Sequence, residues 1–182
     1  LGENSLAFHS DLEKYLSVHP GITLAFQPGT FQMKMGRTAL ASLYRRADVF
    51  FCNKEEAQRI LEIEESDIKK LLAALRELGP RIVVITDGTK GAYAYDGNEM
   101  LFMRAYPDPK PPLERTGAGD AFSSTFTVAL ALGMDVREAL RWGPINSMSV
   151  VQHIGARAGL LTRPELEKLL VAAPADYVPR VL

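Results

Sequence analysis

Residues 81–91, Arg81-Ile82-Val83-Val84-Ile85-Thr86-Asp87-Gly88-Thr89-Lys90-Gly91, decide the reading of the fold. Four consecutive apolar residues, Ile82 to Ile85, predict a strand buried on both faces. The glycines at 88 and 91 predict a tight turn at its C-terminal end. Upstream, residues 66–78 predict a helix with Ile68, Leu71, Leu72 and Leu75 on one face, stopped by Gly79-Pro80. Residues 48–52 carry a second apolar run of strand length, and a helix follows over 54–61. Asn53 caps that helix, and Glu56 at N3 closes a capping box. Further back, residues 22–26 predict a short buried strand, 27–30 a loop, 36–46 a helix and 3–18 an amphipathic helix ended by His19-Pro20-Gly21.

Downstream, residues 92–95 and 100–104 predict a hairpin around Asp96-Gly97-Asn98. Residues 106–112 hold four prolines and predict an extended loop. Helices are expected over 119–132, 136–152 and 163–171, with Pro164 in an acceptable first-turn position. Strands that alternate with helices predict an α/β layered domain with a mostly parallel central sheet, one domain over residues 1–182. Ligands in such sheets bind beyond the C-terminal strand ends. Polar or glycine-bearing segments fall there at 27–30, 53–56 and 86–91, and a fourth, 116–120, precedes a long helix.

Composition narrows the class. The chain has 182 residues, 47% apolar and 24% charged, which excludes a disordered or collagen-like chain. Its 21 Lys+Arg against 22 Asp+Glu argue against a nucleic-acid binder driven by overall positive charge. The longest mostly apolar stretch, 121–134, is too short for a membrane span and carries Ser and Thr. Cys52 stands alone and cannot form an intrachain disulfide, which suits a reducing compartment, and a cytoplasmic location is expected.

The segment Glu114-Arg115-Thr116-Gly117-Ala118-Gly119-Asp120 carries the chemistry. Small residues at a helix start let phosphate approach unpaired amides and the positive end of the helix dipole. Asp120 follows in the first turn, where a carboxylate could accept a hydroxyl proton. A plain helix N-terminus has a similar composition. The segment lacks the G-x-G-x-x-G dinucleotide fingerprint, which disfavours an NAD-dependent oxidoreductase, and lacks the Gly-Lys-Ser/Thr of a Walker A loop.

Residues 116–122 resemble the C-terminal signature of the PfkB (ribokinase-like) carbohydrate kinases, Asp-Thr-x-Gly-Ala-Gly-Asp. The resemblance implies Asp120 as catalytic base and the amides of Gly117, Ala118 and Gly119 as anion hole. Glu114 and Arg115 depart from the pattern, standing where Asp and Thr are usual. Asn53-Lys54-Glu55-Glu56 is similar to the family's Asn-x-x-Glu motif, which implies Asn53 near phosphate and Glu56 near magnesium. Residues 86–91 resemble its Thr-x-Gly-x-x-Gly segment, which implies nucleotide contacts from Thr86, Gly88 and Gly91. Thr116 belongs to the same nucleotide site. The resemblance of 146–156 to the family's late helix implies a nucleotide contact from Asn146, while His153 reads as a surface or cap residue and Lys90 as a solvated lysine.

The resemblance runs from about residue 22 to residue 156 and implies a three-layer Rossmann-like (ribokinase-like) fold. The family's N-terminal strands, paired-glycine motif and lid have no counterpart in the sequence, so a partial chain starting at Leu1 is expected. The implied function is an ATP-dependent kinase for a hydroxyl of a sugar or nucleoside, with Mg²⁺ as cofactor. A homodimer is compatible with it; nucleic acid and membrane are not expected partners. The alternative is a non-catalytic nucleotide-binding fragment or regulatory relative that lacks the acceptor site.

Overall fold

The computed structural model describes residues 6–182. They form an α/β chain with a mixed sheet. The chain divides into two compact units. One holds the residues up to Ile85 together with Tyr95–Met100, and the other holds Thr86–Ala94 with Leu101–Leu182.

The first unit contains α1 (Leu6–Ser17), β1 (Ala25–Phe26), α2 (Thr30–Ala39), α3 (Ala41–Arg46), β2 (Val49–Asn53), α4 (Lys54–Leu61), α5 (Ile68–Glu77) and β3 (Ile82–Thr86), whose last residue falls to the second unit. The strands neighbour one another in the order β1-β2-β3. β1 and β2 pair in parallel, with Ala25 opposite Val49 and Phe26 opposite Phe50. Val49 to Cys52 and Val83 to Ile85 are all buried, as strands covered on both faces should be. Phe26, Tyr44 and Phe50 pack ring to ring, with centroids 5.2–5.9 Å apart. Asp48 ties the strand starts together. Its carboxylate accepts from the Leu24 amide at 2.9 Å and from the Arg46 guanidinium at 3.0 Å, and Arg81 reaches it at 3.4 Å.

The second unit contains β4 (Ala92–Tyr95), β5 (Met100–Met103), α6 (Ala118–Ala131), α7 (Val136–Val150), α8 (Arg163–Val171) and β6 (Arg180–Val181), with the last residue of β4 and the first of β5 falling to the first unit. Its strand order is β4-β5-β6, and β6 lies antiparallel to β5. α6 and α7 pack along their length and are joined by side chains. The Asn146 amide donates to Thr125 Oγ1 at 2.8 Å, and Ser147 Oγ donates to the Ala118 carbonyl at 2.7 Å. No helix among the described residues is long and apolar enough to cross a membrane.

Three local expectations change. The helix expected over 36–46 is two helices, and the first begins at Thr30, inside the expected 27–30 loop. Gln32 makes that start possible, because its side-chain oxygen accepts the Gly29 amide at 3.2 Å. Gly36, at φ +80° and ψ 160°, interrupts the same helix. The strand expected over 22–26 shrinks to Ala25–Phe26. β6 was not expected, and only its pairing with Leu101 and Phe102 defines it. The expected helix over 3–18 is seen as α1, and its first three residues lie outside the described residues.

Phe50 is fully buried at the centre of the aromatic cluster. Phe50→Ala is expected to cost about 3–5 kcal/mol of folding free energy, through lost transfer energy and a residual cavity. Urea denaturation measures it, and a loss below about 1 kcal/mol would contradict this packing.

Candidate active site

The second unit builds a cleft of about 230 Å³ from the proline-rich 105–112 segment and three further pieces of chain. The first is the start of α6. Its cap, Gly117, sits at φ +83°, in the left-handed region that favours glycine. A Cβ there would lie 2.6 Å from the Ala156 Cβ and 2.8 Å from the Ala156 carbonyl oxygen. Conformation and close approach both demand glycine. The first helical bond runs from the Ala121 amide to the Gly117 carbonyl at 2.8 Å, and no side chain caps this end. The Ala118 amide donates to the Arg115 carbonyl at 3.3 Å, the Gly119 amide precedes the first helical bond, and the helix dipole makes this end positive. Ala118 and Gly119 line the cleft.

The second piece follows β3. Thr86, Gly88 and Gly91 line the cleft. The turn closes through the Asp87 amide, which donates to the Gly91 carbonyl at 2.8 Å. Gly91 has φ +114°, and a Cβ there would overlap the Met103 carbonyl. The glycine therefore lets the turn fold back against the end of β5. Lys90 is exposed and lies 3.5 Å from Asp87, as a solvated lysine would. The third piece is α7, which contributes Ser147 and Met148 to the cleft wall.

Glu114 and Arg115 precede the glycine turn, and Arg115 also lines the cleft. Glu114 accepts from the Gly155 amide at 2.9 Å. Its carboxyl is held below the ordinary carboxylate range, first by a hydrogen bond from the Thr116 side chain and then by the Gly155 amide. Asp120 is exposed in the first turn of α6. Its backbone carbonyl accepts from the Ser124 hydroxyl at 2.7 Å.

The cleft thus gathers five of the expected site residues: Thr86, Gly88, Gly91, Ala118 and Gly119. Gly117 rests on Ala156, and the Thr116 side chain donates to Glu114. Asn146 does not line the cleft. It is buried, and its side chain is spent on Thr125 and on the Leu161 amide, which donates to its Oδ1 at 3.0 Å. Its neighbour Ser147 lines the cleft instead. Almost the whole circumference of this part of α7 is buried, so apolar periodicity does not reveal which face meets the cleft. His153 is exposed, with Nδ1 3.0 Å from the Ser149 carbonyl, as a cap residue would be.

Asn53 and Glu56 belong to the first unit, at the start of α4. Their capping box is formed: the Glu56 amide donates to Asn53 Oδ1, and the Asn53 amide donates to Glu56 Oε2, both at 2.8 Å. One Glu56 oxygen stays outside the box. Among the described residues no cluster of three or more His, Cys, Asp or Glu could hold a metal. A single spare carboxylate oxygen therefore fits Mg²⁺ only where waters and other oxygen ligands complete the shell. Burial, and secondarily the Glu56 charge, push the neighbouring Cys52 thiol well above its ordinary value.

The pfkB family carbohydrate kinase profile matches residues 26–163. The chain belongs to this family. Its similarity to *Bacillus subtilis* ribokinase is 38% identity over 93 residues, covering 51% of this chain and 31% of the relative. With the cytidine kinase of *Thermococcus kodakarensis* it shares 32% identity over 119 residues, covering 65% and 42%. The fold also matches a crystal structure of a putative ribokinase II from *E. coli* in complex with ATP and Mg²⁺. That match has a TM-score of 0.75 at 23% identity, covering 88% of this chain and 53% of the other. The chain spans about a third to a half of the length of these relatives.

Gly117→Ala is expected to lose about 1–2 kcal/mol to the left-handed backbone and about 1–3 kcal/mol more to overlap with Ala156. Gly88, at φ +54° with open space around it, should lose only the backbone part on the same change. Thermal melting of the two variants compares them. Equal losses would contradict the close approach at Gly117.

Proposed function

We propose that the complete protein is an ATP-dependent kinase that phosphorylates a hydroxyl of a sugar or a nucleoside. One observation carries the proposal. The start of α6, with its uncapped amides, opens into the same cleft as the glycine turn after β3. Backbone amides presented to a cleft stabilise charge that develops on a transferring phosphoryl group. The names of the relatives, ribokinase and cytidine kinase, support the acceptor class and do not choose between sugar and nucleoside.

In this mechanism the amides of Gly117, Ala118 and Gly119 form the anion hole. Asp120, one residue further into the turn, removes the proton from the attacking hydroxyl as the bond to phosphorus forms. Arg115 on the cleft wall adds positive charge beside the phosphates. The loop at Thr86, Gly88 and Gly91 brings backbone close to the nucleotide, and Thr116 braces the anion turn from outside the cleft. Glu56 would hold the hydrated cation, and Asn53 would meet phosphate through its side-chain NH2. The cation would supply positive charge that offsets the charge of the phosphates.

A second reading, nucleotide binding without transfer, rests on the chain's shorter span relative to its relatives. Phosphotransfer assays with a panel of sugars and nucleosides, beside calorimetry with ATP and Mg²⁺, separate the two. Binding without transfer favours the second reading. In the complete protein, Asp120→Asn is expected to lower turnover about 10²–10⁴-fold while nucleotide affinity stays close to wild type. Near-normal turnover in that variant would remove Asp120 from the role of base.

A further inference from the structure

Glu114 is one of the two places where the chain leaves the family's signature, and its side chain is in use. Its carboxylate accepts from the Gly155 amide at 2.9 Å, across 41 residues of sequence, and from the Thr116 side chain. Backbone bonds run beside it: the Leu113 amide donates to the Val151 carbonyl at 2.8 Å. Two residues beyond Thr116's neighbour Gly117, the cleft-lining amide of Gly119 begins the exposed part of the helix start. Gly117 itself rests on Ala156, the residue after Gly155. The turn that presents the amides is therefore seated on the 151–156 loop. Backbone bonds seat one end, the glycine contact seats the other, and the Glu114 carboxylate spans the middle.

We propose that Glu114 is a positioning residue, a carboxylate clamp that sets the helix-start amides of α6 at the place where phosphate charge develops. The inference rests on the phosphate-binding reading of that turn. Glutamate suits the task because both bonds are charge-assisted and therefore stronger than neutral ones. Glutamate is also one methylene longer than the family's usual aspartate, which extends its reach toward the Gly155 amide. Glu114 touches neither nucleotide nor acceptor in this scheme. Its loss should therefore show in turnover more than in nucleotide affinity, because small misplacement of an oriented group is costly only in the transition state.

Two readouts test the clamp. The first is hydrogen exchange at the Gly155 amide, followed by NMR on the chain, which needs no activity. Glu114→Ala should speed it by about 10–100-fold, the worth of one hydrogen bond to a charged group. Glu114→Gln keeps an acceptor oxygen and should speed it by about fivefold, the difference between a charged and a neutral bond. The second readout is steady-state kinetics of the complete protein. Turnover should fall in the order Glu, Gln, Ala, by up to about 10²-fold, with nucleotide affinity nearly unchanged. Gly155 exchange at the wild-type rate in both variants would overturn the clamp. So would wild-type turnover in Glu114→Ala. If the Ala variant does not fold, the Gln variant carries both readouts. A wild type without transfer activity would count against the kinase reading, while Gly155 exchange would still decide the clamp.

Discussion

The site depends on the contact between Gly117 and Ala156. A side chain at 117 would need space that Ala156 already fills, and the left-handed backbone there would resist it as well. Because glycine stands at 117, the chain can turn sharply on the 151–156 loop and enter α6 with no capping side chain. The uncapped start leaves the Gly119 amide clear of any side-chain cap, while the Ala118 amide donates to the Arg115 carbonyl at 3.3 Å. A serine or aspartate cap would stabilise the helix by about 1 kcal/mol but would occupy an amide that faces the cleft. The arrangement exchanges local helix stability for an anion-binding end, and packing elsewhere compensates. Ser147 holds the Ala118 carbonyl from α7, and Asn146 holds Thr125 about two turns further along α6.

The same economy appears in the first unit. Asn53 and Glu56 close a capping box that would stabilise α4 in any protein. The box uses one oxygen of each side chain. Glu56 keeps a second carboxylate oxygen for a hydrated cation, while Asn53 keeps only its NH2, a donor suited to phosphate. A structural explanation of a motif need not displace a chemical one when the groups have atoms to spare.

Much of this was legible in the sequence where local chemistry decides the outcome. The cap at Asn53, the run Ile82–Ile85, the hairpin around Asp96-Gly97-Asn98 and the helix at Arg163–Val171 each carry their own signal and form as expected. Legibility failed where partners distant in sequence decide. β6 exists because Arg180 and Val181 meet β5, not because of their own propensity. The start of α2 depends on Gln32 reaching back to Gly29, and Pro28-Gly29 masks it as a loop. At the site, the glycine-bearing turns were legible, because their glycines mark them. Ser147 was not, because α7 is buried around most of its circumference and the choice between 146 and 147 depends on how α6 packs against it.

The most direct measurement of the central claim is an NMR titration of the chain with ATP and Mg²⁺ that follows the backbone amides one by one. Phosphate seated at the start of α6 should move the Ala118 and Gly119 amide resonances most, together with Gly88 across the cleft, and leave amides of α8 unmoved. Saturable binding that leaves Ala118 and Gly119 unshifted would contradict it.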